Sequence, residues 1–214
     1  MITDTADAVQ QYRTKWQSAS AANADPTTGY QNTMQIYKNL SDVLKSNPKL
    51  GPGAPEWNRL TGVLAPFGAN SNSGYQEVSA YLDSLAQARA SSVGATTNMG
   101  REQASGAVGS RTYVHDALQE KLRFGSAISE GQNAYAQGAS AYAKKYGNAG
   151  LASGGSFDSA WARNADPVAL RMMAANTIGD KEDFNNTLSH ANPLTTKHYK
   201  NLKVLMNGDI PREQ

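Results

Sequence analysis

Three observations predict an all-α fold. Apolar residues recur at spacings of three and four along most of the chain, the period of one helix face. Asp-Pro and Asn-Pro pairs stand before several of these stripes and supply helix starts. No segment alternates apolar and polar residues as a half-buried strand does. The predicted architecture is a multi-helix bundle with a small C-terminal helical subdomain.

The first stripe is Val9, Tyr12, Trp16 and Ala19. Asp25-Pro26 then opens a helix that runs to about Ser46, with Tyr30, Met34, Tyr37, Leu40, Ser41 and Leu44 toward the core and Asn47-Pro48 as its stop. Residues 48–55 hold three prolines and two glycines and read as a stiff connection. Pro55 begins a short helix carrying Trp57, Leu60 and Leu64, which Pro66 ends. The longest helical region starts near Val78, with Tyr81, Leu82 and Leu85. Between Gly94 and Gly109 the pattern thins, and this stretch reads either as a loop or as a poorly packed helix. Helical order resumes with Val114, Leu118 and Leu122. Tyr135, Ala139, Tyr142 and Tyr146 continue it as a tyrosine ridge on an Ala-rich helix.

Gly147 to Ser156 reads as a Gly/Ser-rich linker, so the expected organisation is a main helical domain over 1–146, the linker 147–156, a subdomain 157–208 and a mobile tail 209–214. Within the subdomain, Phe157 and Trp161 suggest a short turn. Asp166-Pro167 starts a helix with Val168, Leu170, Met172 and Met173. Asp180 caps another, with Phe184 and Leu188 four apart. Asn192-Pro193 opens the last, placing Leu194, His198, Leu202 and Leu205 on one face, and Gly208 closes it. The tetrapeptide Asn-Ala-Asp-Pro occurs at 23–26 and 164–167 and reads as a reused helix start, since the flanking segments do not align.

Composition bounds the function. The 214 residues include 19 Gly, 4 Phe and no Cys, and much of the 39% apolar content is alanine, so the helices carry thin stripes and a sparse core. No disulfide framework or thiolate metal site is available. The 20 Lys and Arg against 18 Asp and Glu leave a net charge of +2, scattered rather than gathered into the basic face of a nucleic-acid binder. Charged residues make up 18%, below the roughly 25% usual in soluble domains. Ser, Thr, Asn, Gln and Gly cover the surface instead, a mixture common in proteins that live inside assemblies. The N-terminal residues lack the apolar core of a signal peptide, and no run approaches a membrane span.

No catalytic or metal constellation stands out, and no cofactor is expected. His115, His190 and His198 do not form a zinc motif, because Pro193 breaks any common helix for the last two. No nucleophile elbow surrounds a serine, and the glycines of 147–156 lack the Lys-Ser/Thr of a phosphate loop. Glu77, Glu102, Glu120 and Glu130 are the carboxylates a glycan-cleaving site would draw on, and each reads first as a solvated face residue. Lys197, Lys200 and Lys203, with Arg212 beyond them, form a C-terminal cationic series able to touch phosphates, though three lysines give only modest, salt-sensitive binding.

Phe157, Trp161, Asn164, Asp166 and Pro167 spell F-x-x-x-W-x-x-N-x-D-P, followed by a Met-containing helix and a further helix beginning Asp180-Lys181-Glu182. With the upstream Ala/Tyr helices and Gly51-Pro52-Gly53, this resembles virion proteins of tailed bacteriophages, over about 150 residues. Those chains are long, Ala/Gly/Gln-rich and helical at their C-terminal ends, and are associated with the tail or with internal proteins ejected with the genome. This chain is shorter than they are, as a fragment or minimal member would be.

The resemblance implies a non-enzymatic virion component, made in the bacterial host cytoplasm and acting through contacts with other virion proteins or its own copies. Trp16, Trp57, Tyr135, Tyr142, Tyr146 and Trp161 are then the candidate interface anchors, because aromatic residues favour interface centres. The alternatives are a muramidase-like domain using one of the glutamates, or a DNA-contacting internal protein using Lys197, Lys200 and Lys203.

Overall fold

The computed structural model describes residues 29–46, 54–63, 78, 80, 111–151 and 154–212. Among them are seven α-helices, one 3-10 turn and no strand, as an all-α bundle requires. They are α1 (Tyr30–Ser46), α2 (Pro55–Val63), α3 (Arg111–Tyr146), the turn Ala149–Leu151, α4 (Ser156–Asn164), α5 (Pro167–Ile178), α6 (Lys181–His190) and α7 (Pro193–Met206). The stripe beginning at Val9, residues 94–110 and all but two positions of the Val78 region lie outside the described residues.

The starts follow the local signals. Asp166 accepts from the backbone N–H groups of Val168 and Ala169 at 2.8 and 2.9 Å, and Pro167 takes the first helical position. Asp180 caps α6 through the Asp183 N–H, and Asn192 caps α7 through that of Thr195. Each cap satisfies donors that a helix start leaves unpaired. Phe157 and Trp161 do not sit in a short turn, as expected, but on the nine-residue helix α4.

Helix α3, 36 residues and about 54 Å long, is the axis of the bundle. Helix α1 runs antiparallel to it, with Tyr30 against Glu130 and Ser41 and Lys45 beside Leu122 and Arg123. Helices α5 and α7 pack against the same rod, and α6 packs on α5. Two apolar clusters result. Tyr37, Leu40, Leu44, Trp57, Leu118 and Leu122 anchor one, and Tyr135, Tyr142, Phe157, Met173, Leu202 and Leu205 anchor the other.

Positions 125–136 of α3 are buried nearly all round, yet they include Ser126, Ser129, Glu130, Gln132 and Asn133. A helix enclosed on every side is usually apolar. Here glycines let the neighbours close in: a Cβ on Gly125 would strike the Tyr37 hydroxyl, and one on Gly138 would strike the Leu205 carbonyl. Small residues replace apolar bulk with proximity, and polar side chains fill the remaining space.

The Gly/Ser-rich stretch carries a packed turn, with Leu151 buried and Ser156 Oγ 2.7 Å from Tyr142 Oη. Helices α4, α5 and α7 contact α3 directly, and α6 packs on α5 and reaches α3 through the Arg123–Asp183 pair. The start of the expected tail is also held. Ile210 packs on the second cluster, and Lys145 donates to Asp209 at 2.9 Å, keeping that carboxyl below the usual carboxylate range.

Candidate functional site

The aromatic candidates divide by their position along the rod. Trp16 lies outside the described residues. Trp57 is fully buried in the first cluster. Tyr135 and Tyr142 are buried in the second, where Tyr135 meets the edge of Trp161 at 5.1 Å and Tyr142 meets Phe157 at 5.3 Å. Trp161 is half-buried against the same group. These four spend their rings on the chain's own packing. Tyr146, one turn past the last buried tyrosine, is 60% exposed and rests on Tyr142 at 5.0 Å, its hydroxyl donating to Asp209. Tyr146→Ala should change the unfolding free energy by under about 1 kcal/mol, the worth of one ring contact. Urea unfolding would measure it, and a loss above about 2 kcal/mol would mean that the ring is covered in solution.

Lys197, Lys200 and Lys203 are all exposed on α7. A three-residue step falls short of a helical turn by about 60°, so the series spirals through about 120° instead of forming one ridge. Lys203 bends over the Tyr199 ring at 4.4 Å from its centre. His198 Nδ1 lies 3.3 Å from Asp166 Oδ2, and His190 Nδ1 lies 2.8 Å from the Asn186 carbonyl. Among the described residues no three His, Asp or Glu side chains form a metal cluster.

Glu77 and Glu102 lie outside the described residues. Glu120 is on the surface, paired with Arg123 and Arg171 at 2.7 and 3.0 Å. Glu130 is 3% exposed. It accepts a 2.6 Å hydrogen bond from Tyr30 Oη, and burial pushes its carboxyl above the usual range despite hydrogen bonds from Tyr30 and Thr177. Burial and the adjacent carboxylate likewise push the Tyr30 phenol far up, so it remains a donor.

Seven residues apart on α3, at the other end of its contact with α1, lies an ionic junction. Asp183 on α6 is 3% exposed and takes Arg123 Nε at 3.0 Å and Arg171 Nη2 at 2.6 Å. Asp180 takes Lys45 Nζ and the Ser41 hydroxyl from α1. Burial alone would raise Asp180; the Lys45 hydrogen bond, the Asp183 N–H and the charges of Lys45 and Arg123 outweigh it and hold the carboxyl low. The crevice between these helices has room for about one water molecule. Its charges clasp α1, α3, α5 and α6 together and are spent on one another.

Sequence reasoning missed this junction. It reads α6 by its apolar pair, but Leu188 is 39% exposed and Phe184 half-buried on Tyr199, while Asp183 and Thr187 face inward. Leu194, expected on the inner face of α7, is 58% exposed, whereas Leu202 and Leu205 are buried. The one available signal was the Asp-Lys-Glu-Asp run at 180–183, which also serves as an ordinary acidic helix start. Comparison of the chain with protein-family models, curated proteins and solved structures finds no match.

Proposed function

We propose that this chain is a non-enzymatic component of a tailed-bacteriophage virion, tail-associated or internal, that works by protein–protein assembly. The observation that carries the reading is where exposed apolar bulk lies. Among the described residues the large exposed apolar side chains are Tyr146, Val168, Leu188, Leu194 and Val204, all in the C-terminal third. That is also the part with the phage-like motif. The motif residues are scaffold: Phe157 is fully buried, Asn164 accepts from Asn201 at 2.8 Å, and Asp166 caps α5. A resemblance carried by packing residues fits a shared structural role better than a shared reaction.

Solution mass by light scattering over a concentration series, at low and high salt, tests it. The expected result is a discrete oligomer, weakened by Leu194→Ser or Tyr146→Ser. A monomer at every concentration that also fails to associate with purified tail or internal virion proteins would refute the assembly reading.

A muramidase-like activity is the second reading, and Glu130 is what favours it, because a raised carboxyl is what a general acid needs. Its solvent access and a second carboxylate partner are what that reading requires in addition. Clearing of purified cell walls by the wild-type protein, abolished by Glu130→Gln, would establish it.

A further inference from the structure

Helix α1 is pinned at two places by polar contacts of opposite electrostatic character, to α3 at one end and to the start of α6 at the other. At its N-terminal end the pin is Tyr30 to Glu130, a phenol on a carboxyl group with no cation among its partners in the described residues. Among the described residues the groups around that carboxyl are Tyr30 from α1, Thr177 from α5 and, bonded to Tyr30, Asn133 from α3; of these only Tyr30 titrates. Near its C-terminal end the pin is Lys45 to Asp180. The charged groups there are Glu182, 4.0 Å from Lys45, together with Arg123, Asp183, Arg171 and Glu120. Between the pins, Met34, Tyr37, Leu40 and Leu44 hold α1 by apolar burial.

An ionised carboxylate enclosed by neutral groups has lost its water and gained no counter-charge. We infer that the seating of α1 is proton-linked through Glu130: the helix packs fully while that carboxyl holds its proton and loosens at its Tyr30 end when it ionises. The sign follows from linkage. A carboxyl raised in the folded state contributes stability that is complete below its unfolded value, about 4.3, and is lost as pH rises through the folded value. The Lys45–Asp180 pin has the opposite sign. Its carboxyl is depressed, so its contribution is present above about 3.9 and is lost as pH falls through the folded value. The apolar contacts keep α1 attached in both directions, so the device adjusts the grip and does not detach the helix.

Amide hydrogen exchange of the full chain, read segment by segment and corrected for intrinsic exchange, reports this directly. Between about pH 5 and about pH 8, protection over residues 30–46 should fall roughly tenfold more than over 193–206. Glu130→Gln should remove that difference. Parallel losses in the two segments, or the same difference in Glu130→Gln, would overturn the inference. If Glu130→Gln does not fold, Tyr30→Phe supplies the test. It keeps the carboxyl and deletes a hydrogen bond that lowers it, so the fall should grow; a fall equal to or smaller than in the wild type overturns the inference.

Discussion

Asp183→Ala should lower the unfolding free energy by about 3 kcal/mol, the low end of the range for removing one partner of a buried ion pair. Two guanidinium groups converge on this carboxylate, Arg123 at 3.0 Å and Arg171 at 2.6 Å. Without it they face each other with the surface residue Glu120 and, at longer range from Arg123, Asp180 to compensate. Both arginines are about a quarter exposed, at 24% and 25%, so water recovers part of the cost. Asp183→Asn keeps an acceptor and the shape and should cost less. Urea unfolding in low and high salt decides the matter. A loss under about 1 kcal/mol that vanishes in salt would mean that the junction is screened like an ordinary surface pair.

Gly208→Ala should cost a similar amount, about 3 kcal/mol, by a different route. Gly208 has φ +76°, a conformation that strains any side-chain-bearing residue by about 1 kcal/mol. A Cβ there would also run into the backbone of Ala141 and Tyr142 on α3, and overpacking costs roughly 1–3 kcal/mol more. Gly147 supplies the control, with φ +79° and nothing within 4 Å of the place a methyl group would occupy. Gly147→Ala should therefore cost only the strain, about 1 kcal/mol. Equal losses at the two sites, measured by urea unfolding, would show that the close approach of Gly208 to α3 contributes nothing.

What the sequence reveals and conceals here follows from the range of each interaction. The starts of α2, α5, α6 and α7 are legible because a cap or an initial proline acts within three residues. The inner stripe of α1 is legible because Met34, Tyr37, Leu40 and Leu44 share one face of an isolated pattern. The ionic junction is not, because Asp183 turns inward for Arg123, sixty positions earlier, and no local period records that partner. Tyr142 and Tyr146 look alike in sequence, one turn apart; they differ because Phe157, Gly150 and Ser156, later in the chain, close over the first. The burial of α3 over 125–136 is hidden for a related reason. Its glycines and alanines carry no apolar stripe of their own, and Tyr37 and Leu170, which press on Gly125 and Gly131, come from distant parts of the chain.

The position of α3 also governs how the molecule can be divided. The sequence suggests a cut after residue 146, but both halves of such a cut would be incomplete. A piece beginning at 157 would present Phe157, Met173, Leu202 and Leu205 without the tyrosine face that covers them. A piece ending at 146 would leave that face bare, and Arg123 without its buried partner Asp183. Shortened versions made for expression would therefore be sticky and poorly soluble, and separately produced halves would recover native behaviour only by recombining along the rod.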